Sequence, residues 1–226
     1  MDLHTVSEVV DPRSPWRDGD AWLGGGTWLF SEPQPHLTRL RDLGMTDWEP
    51  LVEHPDGSVE VAATCTVARL SRHPLALVGE CCRAFLASFK IWNVATVGGN
   101  LCAGLPAGPM ISLAAALDGR CLLIGPDGAE RTLGVPEFNL GAGRTALRPG
   151  ELLRSITLPA EALARRYAMR RSSLYPHGRS AALVIGTRGA EGGIRLTVTA
   201  STHRPHVLAI DPDTDLTAAI EESVAG

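Results

Sequence analysis

Two glycine-rich turns, lying far apart in the chain, constrain the fold more than any other feature of this sequence. The first is Gly24-Gly25-Gly26-Thr27 and the second Ala95-Thr96-Val97-Gly98-Gly99-Asn100. Each follows an apolar stretch and leads into small or polar residues. Glycine permits backbone geometry and close approaches that a Cβ would block. Successive free backbone N–H groups in such a turn can cradle phosphate oxygens. One turn of this kind fits many loops. Two of them, carrying hydroxyl and amide side chains, point to a split site for a dinucleotide-sized ligand.

The rest of the pattern divides the chain into three regions. Residues 1–64 read as a small α/β unit, in which the strand Ala21-Trp22-Leu23 runs into the triple glycine. Trp28, Leu29 and Phe30 open a short helix that Pro33 and Pro35 stop. Asp56-Gly57, between the apolar runs at 51–52 and 59–62, predicts a β-hairpin. Residues 65–165 begin with a helix capped by Thr64 or Thr66. A second helix is expected over 82–89, with Phe85, Leu86 and Phe89 on one buried face. Pro109 suits the first turn of an apolar helix over 110–117, and strands follow at 121–124 and 152–158. Residues 166–226 are strand-rich: 181–186 and 194–199 flank the hairpin signal Glu191-Gly192-Gly193, a strand is expected at 207–210 and a helix at 216–224. The chain reads as cut short within this last region.

Composition narrows the function classes. With 44% apolar and 20% charged residues in 226, the chain reads as a soluble globular protein. A formal net charge of −4 gives no basic excess for nucleic acid. No apolar run reaches the roughly twenty residues that span a bilayer, and the N-terminus lacks a secretory signal; a cytoplasmic setting follows. Cys65, Cys81, Cys82, Cys102 and Cys121 show no C-x-x-C spacing, and the histidines show no H-E-x-x-H, so no metal site is expected. Cys102 stands apart because it lies two residues past Asn100.

At the second turn, Asn93-Val94-Ala95-Thr96-Val97-Gly98-Gly99-Asn100-Leu101, with the triple glycine upstream, resembles the FAD-binding subunit of molybdenum hydroxylases, the family of carbon monoxide and xanthine dehydrogenases. Glu151-Leu152-Leu153-Arg154-Ser155-Ile156-Thr157-Leu158-Pro159 is similar to the end of that family's flavin domain, and Tyr167-Ala168-Met169-Arg170-Arg171 to the first strand of its C-terminal domain. The resemblance implies an α+β protein: two α/β lobes, 1–64 and 65–165, with FAD extended between them, and a small α/β domain over 166–226. It places Gly24, Gly25, Gly26 and Thr27 on the pyrophosphate, with Leu23, Trp28 and Leu29 flanking. Thr96, Gly99 and Asn100 would carry the second set of contacts, with Leu101 and Cys102 alongside. Leu153 and Arg170 would approach the isoalloxazine ring, where a cation would stabilise negative charge on reduced flavin. The implied partners are a 2Fe–2S ferredoxin-like small subunit and a large subunit carrying the molybdenum cofactor, with electrons leaving for NAD, a quinone or oxygen.

The sequence departs from that family in three places. The connection 11–20 is too short and proline-rich for the usual helix. The segment 103–109, Ala-Gly-Leu-Pro-Ala-Gly-Pro, lacks the usual polar stretch and acid. Trp92 stands where arginine is common. A free-standing FAD oxidase, with His177 or Cys102 as a flavin tether, is one alternative. A non-catalytic assembly subunit that has lost FAD is another. Trp16, Trp22, Trp28 and Trp92 are candidate partner anchors, or simply core residues.

Overall fold

The computed structural model describes residues 3–211 together with Thr214, Asp215 and Thr217. Three short parallel strands come first: β1 (Glu8–Val10), β2 (Asp20–Leu23) and β3 (Arg39–Asp42), in the spatial order β1-β3-β2. Parallel neighbours need a long crossover, and the β1-to-β2 connection is too short to supply a helix. Arginines on β3 hold it instead. Arg41 donates to the carbonyls of Pro12 and Ser14, and Arg39 to that of Pro15 at 2.8 Å. Both guanidinium groups converge on buried Asp20, Arg39 at 2.7 Å and Arg41 at 3.4 Å. The Arg39 hydrogen bonds hold the Asp20 carboxyl below its ordinary pKa. Arg41 also lies over the rings of Trp22 and Trp16, 4.5 and 5.5 Å from their centroids, so these two tryptophans pack within the lobe.

The middle of the chain runs β4 (Leu51–Glu53), β5 (Val59–Ala62), α1 (Val67–Leu70), α2 (Ala76–Ala84), α3 (Phe89–Trp92), α4 (Val97–Ala103), α5 (Pro109–Ala116), β6 (Arg120–Ile124), β7 (Glu130–Gly134), α6 (Val135–Phe138), β8 (Asn139–Gly141), β9 (Arg144–Thr145), β10 (Leu152–Leu158) and α7 (Ala160–Leu163). An antiparallel sheet is ordered β4-β5-β10-β6-β7. The β4–β5 hairpin therefore sits in the second lobe's sheet, although it was expected within residues 1–64. Its alternation puts Val59 and Val61 on one apolar face, buried in the core, while the edge of β5 pairs with β10, from Val59 opposite Leu158 to Ala62 opposite Ser155.

Two helical expectations change. The face expected over 82–89 is broken, because α2 ends at Ala84 and Leu86 takes a left-handed φ of 49°. Phe85 packs on the core, whereas Phe89 opens α3 and is 74% exposed. Residues 27–31 make a turn and no helix, with Phe30 N donating to the Gly26 carbonyl at 2.9 Å.

The last region is an antiparallel meander of β11 (Arg166–Ser172), β12 (Ala182–Arg188), β13 (Ile194–Thr199) and β14 (His206–Ile210), paired in chain order. Of the helix expected at 216–224, all but Thr217 lies outside the described residues. α5 joins the regions. It is apolar almost all round and buried along its whole length, against α2 and α4 on one side and β12 and β13 on the other. Its Met110, Ile111 and Leu113 each contribute about 1.5–3 kcal/mol by leaving water. Ser112, the polar residue in that face, meets the Thr199 hydroxyl at 2.7 Å. No helix among the described residues is long and apolar enough to cross a membrane.

Candidate cofactor site

The two glycine turns touch. A Cβ on Gly25 would stand 1.8 Å from the carbonyl oxygen of Val94, so the main chain of the first turn rests on the main chain that leads into the second. The second turn is seated in its own lobe the same way: a Cβ on Gly98 would lie 2.4 Å from that of Ala63. A polar clamp fixes the lobes nearby. Trp22 Nε1 donates to the Glu151 carbonyl at 3.0 Å. The Glu151 carboxylate accepts a fork from Arg131 at 2.8 and 2.6 Å and the Arg148 amide at 2.7 Å. Arg131 above all holds that carboxyl far below its usual range, at about 2.

Hydrogen bonding distinguishes the turns. Among the described residues, the amides of Gly24, Gly25, Gly26 and Thr27 have no acceptor, and the Thr27 hydroxyl makes no hydrogen bond. The second turn is the first turn of α4, and its amides are spent. Val97 N donates to the Cys65 carbonyl at 2.8 Å, Gly98 N to that of Ala63 at 3.0 Å and Asn100 N to that of Thr96 at 3.0 Å. Gly99 N donates to Thr96 Oγ1 at 3.0 Å, which makes Thr96 the N-cap. Asn100 Oδ1 accepts from Met110 N at 3.1 Å and so caps α5, leaving its Nδ2 as a donor. Free amides, the property that made both turns phosphate candidates, belong to the first alone.

A cavity of about 490 Å³ lies over this junction. Gly24, Gly25, Gly26, Thr27, Trp28 and Leu29 line one side, and Thr96, Gly99, Asn100 and Cys102 the other. Trp22, Phe85, Ile91, Ala95, Ala103, Leu105 and Gly143 complete the wall. The sequence pattern does not name these as contacts, since each reaches the cavity through long-range packing. Four residues named from the resemblance are not on this wall. Leu23 ends β2 opposite Asp42. Leu101 is fully buried, with its carbonyl accepting from Asn139 Nδ2 at 2.9 Å. Leu153 is buried in β10 opposite Leu123. Arg170 is exposed on β11 opposite Val184, and its guanidinium donates to the Met169 carbonyl at 2.9 Å. Burial pushes the Cys102 thiol up to about 12, so it is protonated at neutral pH and no ready nucleophile.

Residues 22–161 match the FAD binding domain in molybdopterin dehydrogenase. The chain belongs to this family. As an FAD-binding molybdopterin dehydrogenase domain it is 33% identical over 136 residues to the carbon monoxide dehydrogenase medium chain of Afipia carboxidovorans, covering 59% of this chain and 46% of that one. It is 26% identical over 147 residues to a putative xanthine dehydrogenase FAD-binding subunit of Escherichia coli, covering 62% of this chain and 50% of the relative. The chain thus spans about half the length of the curated relatives it matches. Among solved structures, carbon monoxide dehydrogenase from Hydrogenophaga pseudoflava, in a form lacking the Mo-pyranopterin moiety, superposes with a TM-score of 0.81 at 22% identity, over 97% of this chain and 86% of that one. Quinoline 2-oxidoreductase from Pseudomonas putida 86 gives a TM-score of 0.73 at 20% identity, over 87% and 70%. At these identities the likeness is one of fold, the mixed helix-and-sheet fold that the sequence resemblance implied.

The residues fit the cofactor. A pyrophosphate needs donors, and the first turn presents four amides and a hydroxyl that the protein leaves unused. Flat rings need apolar walls, and Trp28, Leu29, Phe85 and Ile91 supply them.

Proposed function

We propose that this chain is the FAD-binding electron-transfer part of a multi-subunit molybdenum hydroxylase. The observation that carries the reading is the open set of amides at Gly24–Thr27, residues that line an uncharged cavity in a domain of this family. In this proposal those amides and the Thr27 hydroxyl hold the pyrophosphate, and Asn100 Nδ2 donates from the facing turn. Trp28, Leu29, Phe85 and Ile91 exclude water along the nucleotide. Thr96 and Gly99 shape the cavity floor through the cap they share. FAD, when bound, supplies the redox chemistry by which electrons from 2Fe–2S clusters reach NAD, a quinone or oxygen; the protein supplies position and field.

The relatives' names describe a medium chain and a subunit, which supports partners: a small 2Fe–2S subunit and a large subunit with the molybdenum cofactor. Five free cysteines suit a reducing, cytoplasmic setting. Tethering of flavin by Cys102, as in a free-standing oxidase, is disfavoured by the raised thiol pKa.

The test is spectroscopic. The purified chain is expected to take up FAD and to release it unmodified on denaturation. Purines, aldehydes or carbon monoxide should leave the flavin oxidised in this chain alone and bleach it only when the iron–sulfur and molybdenum subunits are added. A chain that takes up no FAD overturns the reading. Bleaching of the isolated chain by an organic substrate replaces it with the free-standing oxidase.

A further inference from the structure

The cavity over the two turns continues into a second one of about 350 Å³, and Trp28, Phe85, Asn100 and Leu105 border both. Their walls differ in charge. The first has no Asp, Glu, Lys, Arg or His. The continuation has Arg179 and His177 and no carboxylate. Arg179 and His177 stand on the loop between β11 and β12, and Leu86 and Pro109 share the lining with them.

We propose that this continuation receives the isoalloxazine end of the nucleotide, with Arg179 as the cation that stabilises the charge the ring acquires on reduction. The assignment rests on the FAD reading above. A flavin dinucleotide has two flat ends, and only one changes charge with redox state. Adenine stays neutral and suits the uncharged cavity. The isoalloxazine suits the cationic continuation, and the pyrophosphate between them falls over the amides of Gly24–Thr27. Arginine remains charged at every accessible pH. Its effect is Coulombic and differential, since it acts on the reduced ring more than on the oxidised one. Arg179 thereby takes the role that the family resemblance gave to Arg170, whose strand position turns it to the outer face of the sheet. On β11 the neighbouring Met169 stands opposite buried Ile185, so the next residue, Arg170, points the other way.

The full chain reconstituted with FAD provides the test. Arg179→Gln is expected to weaken the preference for reduced over oxidised flavin about tenfold, which is about 30 mV lower in the two-electron potential. Arg179→Lys should hold the potential near the parent value, because the charge and not the packing matters. Arg170→Gln should leave it unchanged. If Arg179→Gln binds FAD at the parental potential, or if Arg170→Gln moves the potential more, this assignment falls while the FAD reading stands. If the parent chain takes up no FAD, both fall.

Discussion

At Gly24–Thr27 four consecutive amides find no acceptor among the described residues, whereas at Val97–Asn100 every amide is already engaged. The two strings look alike and use glycine differently. In the first, the missing side chain at Gly25 lets two main chains touch, and the amides there stay without an acceptor on residues that line the cavity. In the second, Gly98 lets α4 sit on Ala63, and the helix start consumes its donors. Where the hydrogen bonds go, and not glycine content, separates a ligand cradle from a packing device.

The hardest test of that contrast is Gly25→Val. The Cβ would overlap a carbonyl oxygen, and main-chain atoms cannot step aside as a side chain can. A loss of about 3 kcal/mol in stability is expected, together with loss of FAD uptake, read by thermal unfolding and flavin titration. Parental melting would break the claim that the turns rest on one another. Gly99→Val should cost less, since Gly99 is exposed and its nearest neighbour is the Thr96 hydroxyl.

The next effect is acid, acting through the clamp that keeps the lobes together. The Glu151 carboxyl titrates at about 2 in the fold against an ordinary 4.5. The unfolded chain therefore takes its proton first as pH falls. Stability from this group is complete above about pH 4.5 and lost progressively toward pH 2. Urea midpoints should show that slope, and Arg131→Met should flatten it. A wild-type slope in Arg131→Met would mean that other groups carry the acid response.

A pair of threonines sharpens the comparison at smaller scale. Thr27→Val should change stability by less than about 0.5 kcal/mol yet lower FAD affinity about tenfold, since a charge-assisted hydrogen bond is lost. Thr96→Val should do the reverse: about 1 kcal/mol of stability goes with the cap, and FAD affinity falls less. Identical behaviour of the two variants would erase the distinction between the turns.

Much of the fold is local and was legible for that reason. Asp56-Gly57 turns a hairpin, Thr66 caps α1 by accepting from Arg69 N, and Pro109 begins α5. What was not legible depends on distant partners. Nothing within 51–62 says that the edge of β5 will pair with β10. Nothing in either glycine string says which amides will be used. The orientation of Arg170 did carry a signal: Tyr167 and Met169 alternate with Arg166, Ala168 and Arg170, and that period of two turns the arginines outward. Arg179 carried none, because loop residues reach a cavity only through the path of the chain.

The smallest expected effect concerns Cys102. With its thiol protonated at neutral pH, Cys102→Ala should leave the flavin spectrum unchanged and all flavin extractable by acid. Flavin retained on acid-precipitated parent protein, and released in the variant, would reveal a covalent bond.

The contact between Gly25 and Val94 has one more consequence. The spacing of the two turns works as a caliper whose jaws are main chain, so no rotamer can open or close it. Trp28, Phe85, Ile91 and Leu105 can then be exchanged for other residues, repainting the walls without moving them. The segment 103–109 can then lack an acid, and position 92 carry tryptophan, with the gap between the turns unchanged. The glycine at the pivot lacks that freedom, because a Cβ there would overlap the Val94 carbonyl.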